Sequence, residues 1–312
     1  MENKQAKTKI DNTEAEAPEK SNALALLMAE KSNGEVVVFK KPTKRRQKNK
    51  KESGGEVDFS AFYELASMMD MSIEDALDKC CMFQVRNLMA KIGKVIVRYN
   101  ISEFDFMKTL HNTNALSVSE VVFSPAYLPT CKKVIGRRPD INQNTGVIID
   151  FPFGESSFKS KLLSVKESVD GGVDTVNVMM PSMLFARANQ KELKKQIRKI
   201  ASVRGAEIGL AVSAMDISDD ELKTAMKFIE RSKLSFITLC FGAVTESELK
   251  AKIGVITDLK PYKKVKVIAN VDSTDAVKEL IKLKVDTILT PYADAIGKEL
   301  LARFKIKSVK LK

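Results

Sequence analysis

The polar residues able to act on a ligand stand at or near the ends of short apolar runs. Arg98 and Asn100 close "KVIVRYN", Ser124 ends "SEVVFS", Asp150 follows "GVII", Asn177 lies in "DTVNVMM" and Ser213 in "EIGLAVSA". Thr238 lies in "SFITLCFG", Ile268 and Asn270 in "VKVIANV", and Thr290 in "DTILTP". Most are neutral hydrogen-bonding groups, suited to holding a small polar or phosphorylated ligand. No two carboxylates stand together for general acid–base work. No lysine ends a run: Lys94 begins one and Lys266 lies inside another, both too early to present an amine at the strand end. The single histidine, His111, has no triad motif around it and reads as a surface residue. Cys80, Cys81, Cys131 and Cys240 form no CxxC pair, which speaks against a Cys/His zinc site. Such sparse, unpatterned cysteine fits a reducing cytoplasm. The residues call for no cofactor and no metal.

A second chemistry is electrostatic. Eight of the twelve residues from Lys40 to Lys51 are basic (Lys40, Lys41, Lys44, Arg45, Arg46, Lys48, Lys50 and Lys51), and none is acidic. Such a run grips phosphates with release of counterions. It interleaves no aromatic residue, so base stacking is not expected. An acidic partner or nucleic acid at residues 40–51 is one expectation; a solubilising tail is the plainer one. The formal net charge of +12 favours acidic partners without naming one. No apolar run nears the roughly 18 residues of a membrane span. "ALALLM" (23–28) is too short, and too acidic in its flank, for a signal-peptide core.

Periodicity supplies the scaffold for these groups. Residues 1–56 are polar and basic and predict a disordered tail. Residues 57–94 keep a helical spacing (Phe59, Phe62, Leu65, Met69), with a capping box at Ser72, and predict a helical segment packing on the C-terminal remainder of the chain. From there eight β-branched runs alternate with amphipathic helices. One helix has the face Phe158, Leu162, Val165, Val169 and a Gly171-Gly172 cap; another has Leu193, Ile197, Ile200. "SDDE" at Ser218 and "TESE" at Thr245 are further capping boxes. Eight strands and helices over residues 95–312 predict an α/β fold, a (β/α)8 TIM barrel, whose ligands bind at the C-terminal strand ends. An open doubly wound sheet is the alternative; no GxGxxG follows the first strand.

The runs "VVFSPAYLP", "GVIIDFPFGESSFKSKLLSVKESVDGGVDTVNVMMP" and "SFITLCFGAV" resemble the deoxyribose-phosphate aldolase family, from about Lys94 to the C-terminus. The "FPFG" turn, the helix after it and "GGVDTVNVMMP" carry the most specific likeness. The resemblance implies a class I aldolase barrel, in which a strand-6 lysine of F-[IV]-K-T-S-T-G forms a Schiff base with the aldehyde. Laid on that motif, "FITLCFG" puts Thr238 at the lysine position and Gly242 at the glycine. The strand-4 aspartate of the family falls on Asn177, the second lysine on or near Ile268, and the strand-1 Asp-x-Thr on Arg98 and Asn100. The phosphate loops reduce to "NVDST" and "LTPYADAI". A threonine hydroxyl cannot form an imine, and asparagine cannot accept a proton as a base.

Three readings result. The first is a catalytically degenerate aldolase-like barrel that binds or scaffolds, with Arg98, Asn100, Asp150, Asn177, Thr238 and Thr290 at its mouth. The second is an active lyase with a relocated Schiff-base lysine, marked by an amine pointing into the mouth near Thr238; an apolar plug around Ile268 counts against it. The third is a nucleic-acid-binding protein acting through residues 40–51. The oligomeric state is not legible in the sequence.

Overall fold

The computed structural model describes residues 84–96, 101–137 and 143–309, and the barrel lies in the compact unit Cys81–Ile306. The basic segment 40–51, the helical stretch 57–83 with its Ser72 box, and Arg98 and Asn100 lie outside the described residues. Residues 84–89 are helical. Then follow β1 (Ile92–Ile96), α1 (Glu103–Ala115), β2 (Glu120–Phe123), α2 (Leu128–Arg137), β3 (Asn144–Ile149) and α3 (Phe158–Asp170). Next come β4 (Thr175–Met180), α4 (Gln190–Ile200), β5 (Glu207–Ser213), α5 (Asp219–Glu230) and β6 (Phe236–Cys240). The chain continues through α6 (Glu246–Thr257), β7 (Lys264–Ile268), α7 (Thr274–Lys282), β8 (Thr287–Thr290) and α8 (Ala293–Val309). The strands pair in parallel in chain order, and β8 pairs back onto β1 through Ile92↔Ile288 and Lys94↔Thr290. The fold is a closed eight-stranded TIM barrel with alternating helices.

Strands buried on both faces explain the near-continuous apolar runs. Alternate residues face opposite ways. Val121, Phe123, Val147, Ile149, Val176 and Val178 pack outward in the shell shared with the helices. Val122, Ile148 and Met179 pack inward, in a separate cluster on the barrel axis. Near the N-terminal end glycines leave room for large neighbours: a Cβ on Gly209 would lie 2.1 Å from the Phe236 ring, and one on Gly146 would lie 2.2 Å from Thr175 Oγ1.

Helix starts follow local chemistry. Both capping boxes form: Ser218 with Glu221 on α5 and Thr245 with Glu248 on α6. Ser102, Ser157 and Ser273 cap α1, α3 and α7. Two expectations shift. β1 begins at Ile92 rather than Lys94, because Gly93 gives no side chain to mark the alternation, yet its bare backbone sits where a Cβ would meet Leu289 at 2.4 Å. On α3 the buried residues are Lys161, Val165 and Ser168, with Phe158 and Val169 only partly buried. A lysine and a serine on the inner face are invisible to a count of apolar residues.

Candidate functional site

The barrel interior stacks in three levels. At the N-terminal floor the Lys266 ammonium donates to Glu120 Oε1 at 2.6 Å and lies 4.1 Å from the Phe236 ring centroid. The Thr175 hydroxyl donates to Glu120 Oε2 at 2.8 Å. Beside this pair a depression of about 640 Å³ opens at the N-terminal end, flanked by Asp174, Glu207 and Lys264. Above the floor the Thr238 hydroxyl donates to Asn177 Oδ1 at 2.8 Å, and Asn177 Nδ2 donates to the Val147 carbonyl at 3.1 Å. Both side chains are fully buried. Above them every strand contributes one apolar residue to a single cluster, from Val95 on β1 to Leu289 on β8, with Ile148, Met179, Cys240 and Ile268 among them; Phe151 packs against it.

Thr238 and Asn177 therefore meet each other, two residues below Cys240 and Met179 on their own strands, and neither opens to the mouth. Ile268 belongs to the apolar layer. Lys266 shares its facing, but its amine reaches down to Glu120. Burial pushes the Cys240 thiol up to about 12, so it stays protonated and unreactive. Lys94 faces outward, donating to the Pro291 carbonyl and pairing with Asp294 on α8.

Asp150 lies at the mouth with a positive φ of 63°. Its carboxylate is already engaged: Ser156 donates to it from its backbone N–H and its hydroxyl, both at 2.8 Å, and Lys161 Nζ lies 3.2 Å away. Lys161 also donates to the Gly154 carbonyl. Helical side chains lean toward the helix N-terminus, so a lysine in the first turn of α3 reaches back into the turn before it. That lean was the signal available in the sequence; the apolar count over the same helix hid it. Burial lowers the pKa of Lys161, against the opposing pull of Asp150. Thr290 turns off the axis: its hydroxyl donates to the Val271 carbonyl at 2.5 Å, while Leu289 faces inward. Asn270 is exposed, and Ser124 precedes a 3-10 turn without capping it.

On the C-terminal face the loops after β3, β4 and β5 enclose a depression of about 450 Å³, lined by Phe153, Glu155, Ser182, Met183, Ser213 and Asp216. Of the residues expected at strand ends, Ser213 alone lines it. Phe153, Glu155, Met183 and Asp216 were not singled out in the sequence, because loop side chains carry no periodic signal. Among the described residues no cluster of His, Cys, Asp and Glu could hold a metal, and no helix is long and apolar enough to cross a membrane.

No family model matches the chain. It is nonetheless a distant homologue of deoxyribose-phosphate aldolase, a class I carbon–carbon lyase. The enzyme of Dictyoglomus turgidum is 21% identical over 205 residues, 65% of this chain and 92% of that protein. The deoxyribose-phosphate aldolase of Mycoplasmoides gallisepticum is 19% identical over 219 residues, 69% of this chain and 96% of the relative. Among solved structures the aldolase QR15 superposes with a TM-score of 0.62 at 17% identity, covering 70% of this chain and 98% of its own. The tetrameric deoxyribose phosphate aldolase of Aeropyrum pernix gives 0.60 at 16% identity, with 74% and 99% covered. These structures share the fold.

Proposed function

We propose that this chain is a catalytically degenerate deoxyribose-phosphate aldolase-like barrel that serves as a binding or scaffold protein. One observation carries the reading: the apolar layer containing Ile268 and Cys240 closes the axis above the Thr238–Asn177 hydrogen bond. An imine needs an amine that can reach a carbonyl, lose water and hold the resulting cation. At the position matching the Schiff-base lysine the barrel has a buried hydroxyl already bonded to Asn177. The lysine facing the axis, Lys266, is paired with Glu120 at the opposite end. In this reading the basic residues 40–51 meet an acidic partner.

Reductive trapping tests it. The protein is incubated with deoxyribose 5-phosphate, and separately with acetaldehyde, then reduced with borohydride and weighed by mass spectrometry. No adduct is expected, with an active aldolase trapped in parallel. A stoichiometric adduct on one lysine overturns the reading.

A second reading, an active lyase with a relocated lysine, is favoured by Lys161. Its amine sits in the turn after β3 on the mouth side, with its pKa lowered by burial. Peptide mapping that places an adduct on Lys161 would establish it. Against it stand the Gly154 carbonyl and the Asp150 carboxylate, which already hold that amine.

A further inference from the structure

The C-terminal face carries large apolar side chains in the open. Phe153 is 69% exposed, Met183 67% and Met215 44%, one from each of the loops after β3, β4 and β5. Single exposed apolar residues need no explanation, but Phe153 and Met183 line one depression, with Met215 next in sequence to its lining residue Asp216, and such a grouping marks an interaction surface. The loops bearing Phe153 and Met183 are braced. The turn bearing Phe153 is held by Asp150, Ser156 and Lys161, and Asn189 Nδ2 donates to the Met183 carbonyl at 2.7 Å. The apolar groups are thus presented in fixed places, which lowers the ordering cost of a contact.

The charge on this rim runs against the chain as a whole. Glu155 and Asp216 line the depression, no basic residue does, and neither carboxylate has a hydrogen-bond or ion-pair partner among the described residues. Elsewhere Glu103 pairs with Lys133, Asp219 with Lys252, Glu207 with Lys264 and Asp294 with Lys94. Glu167, Asp170, Asp258 and Asp272 also lack a side-chain partner among the described residues, but only on the rim do two such carboxylates line one depression with open apolar side chains. In a protein of formal net charge +12, two unmatched carboxylates beside open apolar side chains call for a cation from outside.

We infer that the rim formed by the loops after β3, β4 and β5 docks a basic peptide segment of a partner protein, one that sets a large apolar side chain next to a lysine or arginine. Phe153 and Met183 receive the apolar group. Glu155 and Asp216 hold the cation, and an arginine gains further from stacking on the Phe153 ring. The inference rests on reading the barrel as a binding module.

The test pans a random-peptide display library on the full-length chain and measures enriched peptides by fluorescence anisotropy. Two surface variants are compared with the parent: Glu155→Lys with Asp216→Lys, and Phe153→Ser with Met183→Ser. The expected peptides carry Lys or Arg beside Leu, Phe or Trp, and each variant weakens them by about tenfold or more while melting as the parent does. The inference fails if no peptide is enriched, if the enriched peptides lack cationic residues, or if either variant binds them unchanged. It also fails if hexylamine alone binds the rim as tightly as the peptides, which makes the ligand a small organic cation. Sedimentation showing self-association that the variants abolish overturns it in favour of a second copy of this chain. A borohydride adduct would remove the degenerate-aldolase reading without touching the peptide result, so the two failures can be told apart.

Discussion

Thr238 and Asn177 form one unit, a fully buried hydroxyl and amide that satisfy each other. Thr238→Val keeps the shape but leaves Asn177 Oδ1 without its donor. The expected cost is about 1–3 kcal/mol, read from urea unfolding, since a buried orphaned acceptor loses its desolvation energy outright. An unchanged midpoint would mean that the site admits water and the axis is open. Lys266 and Glu120 make a sterner case, with side chains only 4% and 5% exposed. Lys266→Met strands a buried carboxylate and should cost about 3–5 kcal/mol, while adding Glu120→Leu should recover most of it. A double variant as unstable as the single would show that the cost has passed to the Thr175 hydroxyl, which loses Glu120 as its acceptor. At this scale the sequence shows which way a strand residue faces, because the period is two. It does not show depth: Thr238 and Cys240 face alike, yet one sits in a polar pair and the other in the apolar layer. For Lys161, likewise, helix geometry gives the lean toward the preceding turn but not what it meets there, since the Gly154 carbonyl and Asp150 belong to a turn whose shape no spacing rule specifies.

Elements were more legible, because their causes are local. β-branched runs locate the strands, and the Ser218 and Thr245 boxes locate two helix starts without reference to the fold. These caps also carry a pH signature. The Ser218 backbone N–H and hydroxyl hold the Glu221 carboxyl below its ordinary value of 4.5, and the Thr245 hydroxyl and N–H do the same for Glu248. A carboxyl lowered by folding stabilises the native state fully above its unfolded value and loses that contribution as the pH falls through the folded one. The combined Ser218→Ala and Thr245→Ala variant should therefore unfold with a shallower acid slope between about pH 5 and pH 3. At neutral pH each substitution should cost about 1 kcal/mol, as loss of an N-cap does. Parallel acid slopes for parent and variant would refute the assignment.

At the scale of the molecule, the barrel and the basic segment make separable claims. Binding to heparin, taken as a model polyanion, should fall steeply as salt rises. Replacing the basic residues from Lys40 to Lys51 with glutamine should remove it while leaving the melting of the barrel unchanged. Retained binding would move the polyanion site onto the barrel. The closed barrel itself was readable as eight alternating units, whereas the seam that closes it was not. Lys94 meets Asp294 across 200 residues of chain, and Thr290 comes into register beside it. Until the last strand arrives, a growing chain holds seven strands with two raw edges, each offering unpaired amides and carbonyls to any neighbour. A contact so distant in sequence forms late. Ribosomes stalled before Thr287 would thus display an aggregation-prone open sheet of seven strands, and a nascent chain of this protein has reason to need a chaperone until β8 emerges.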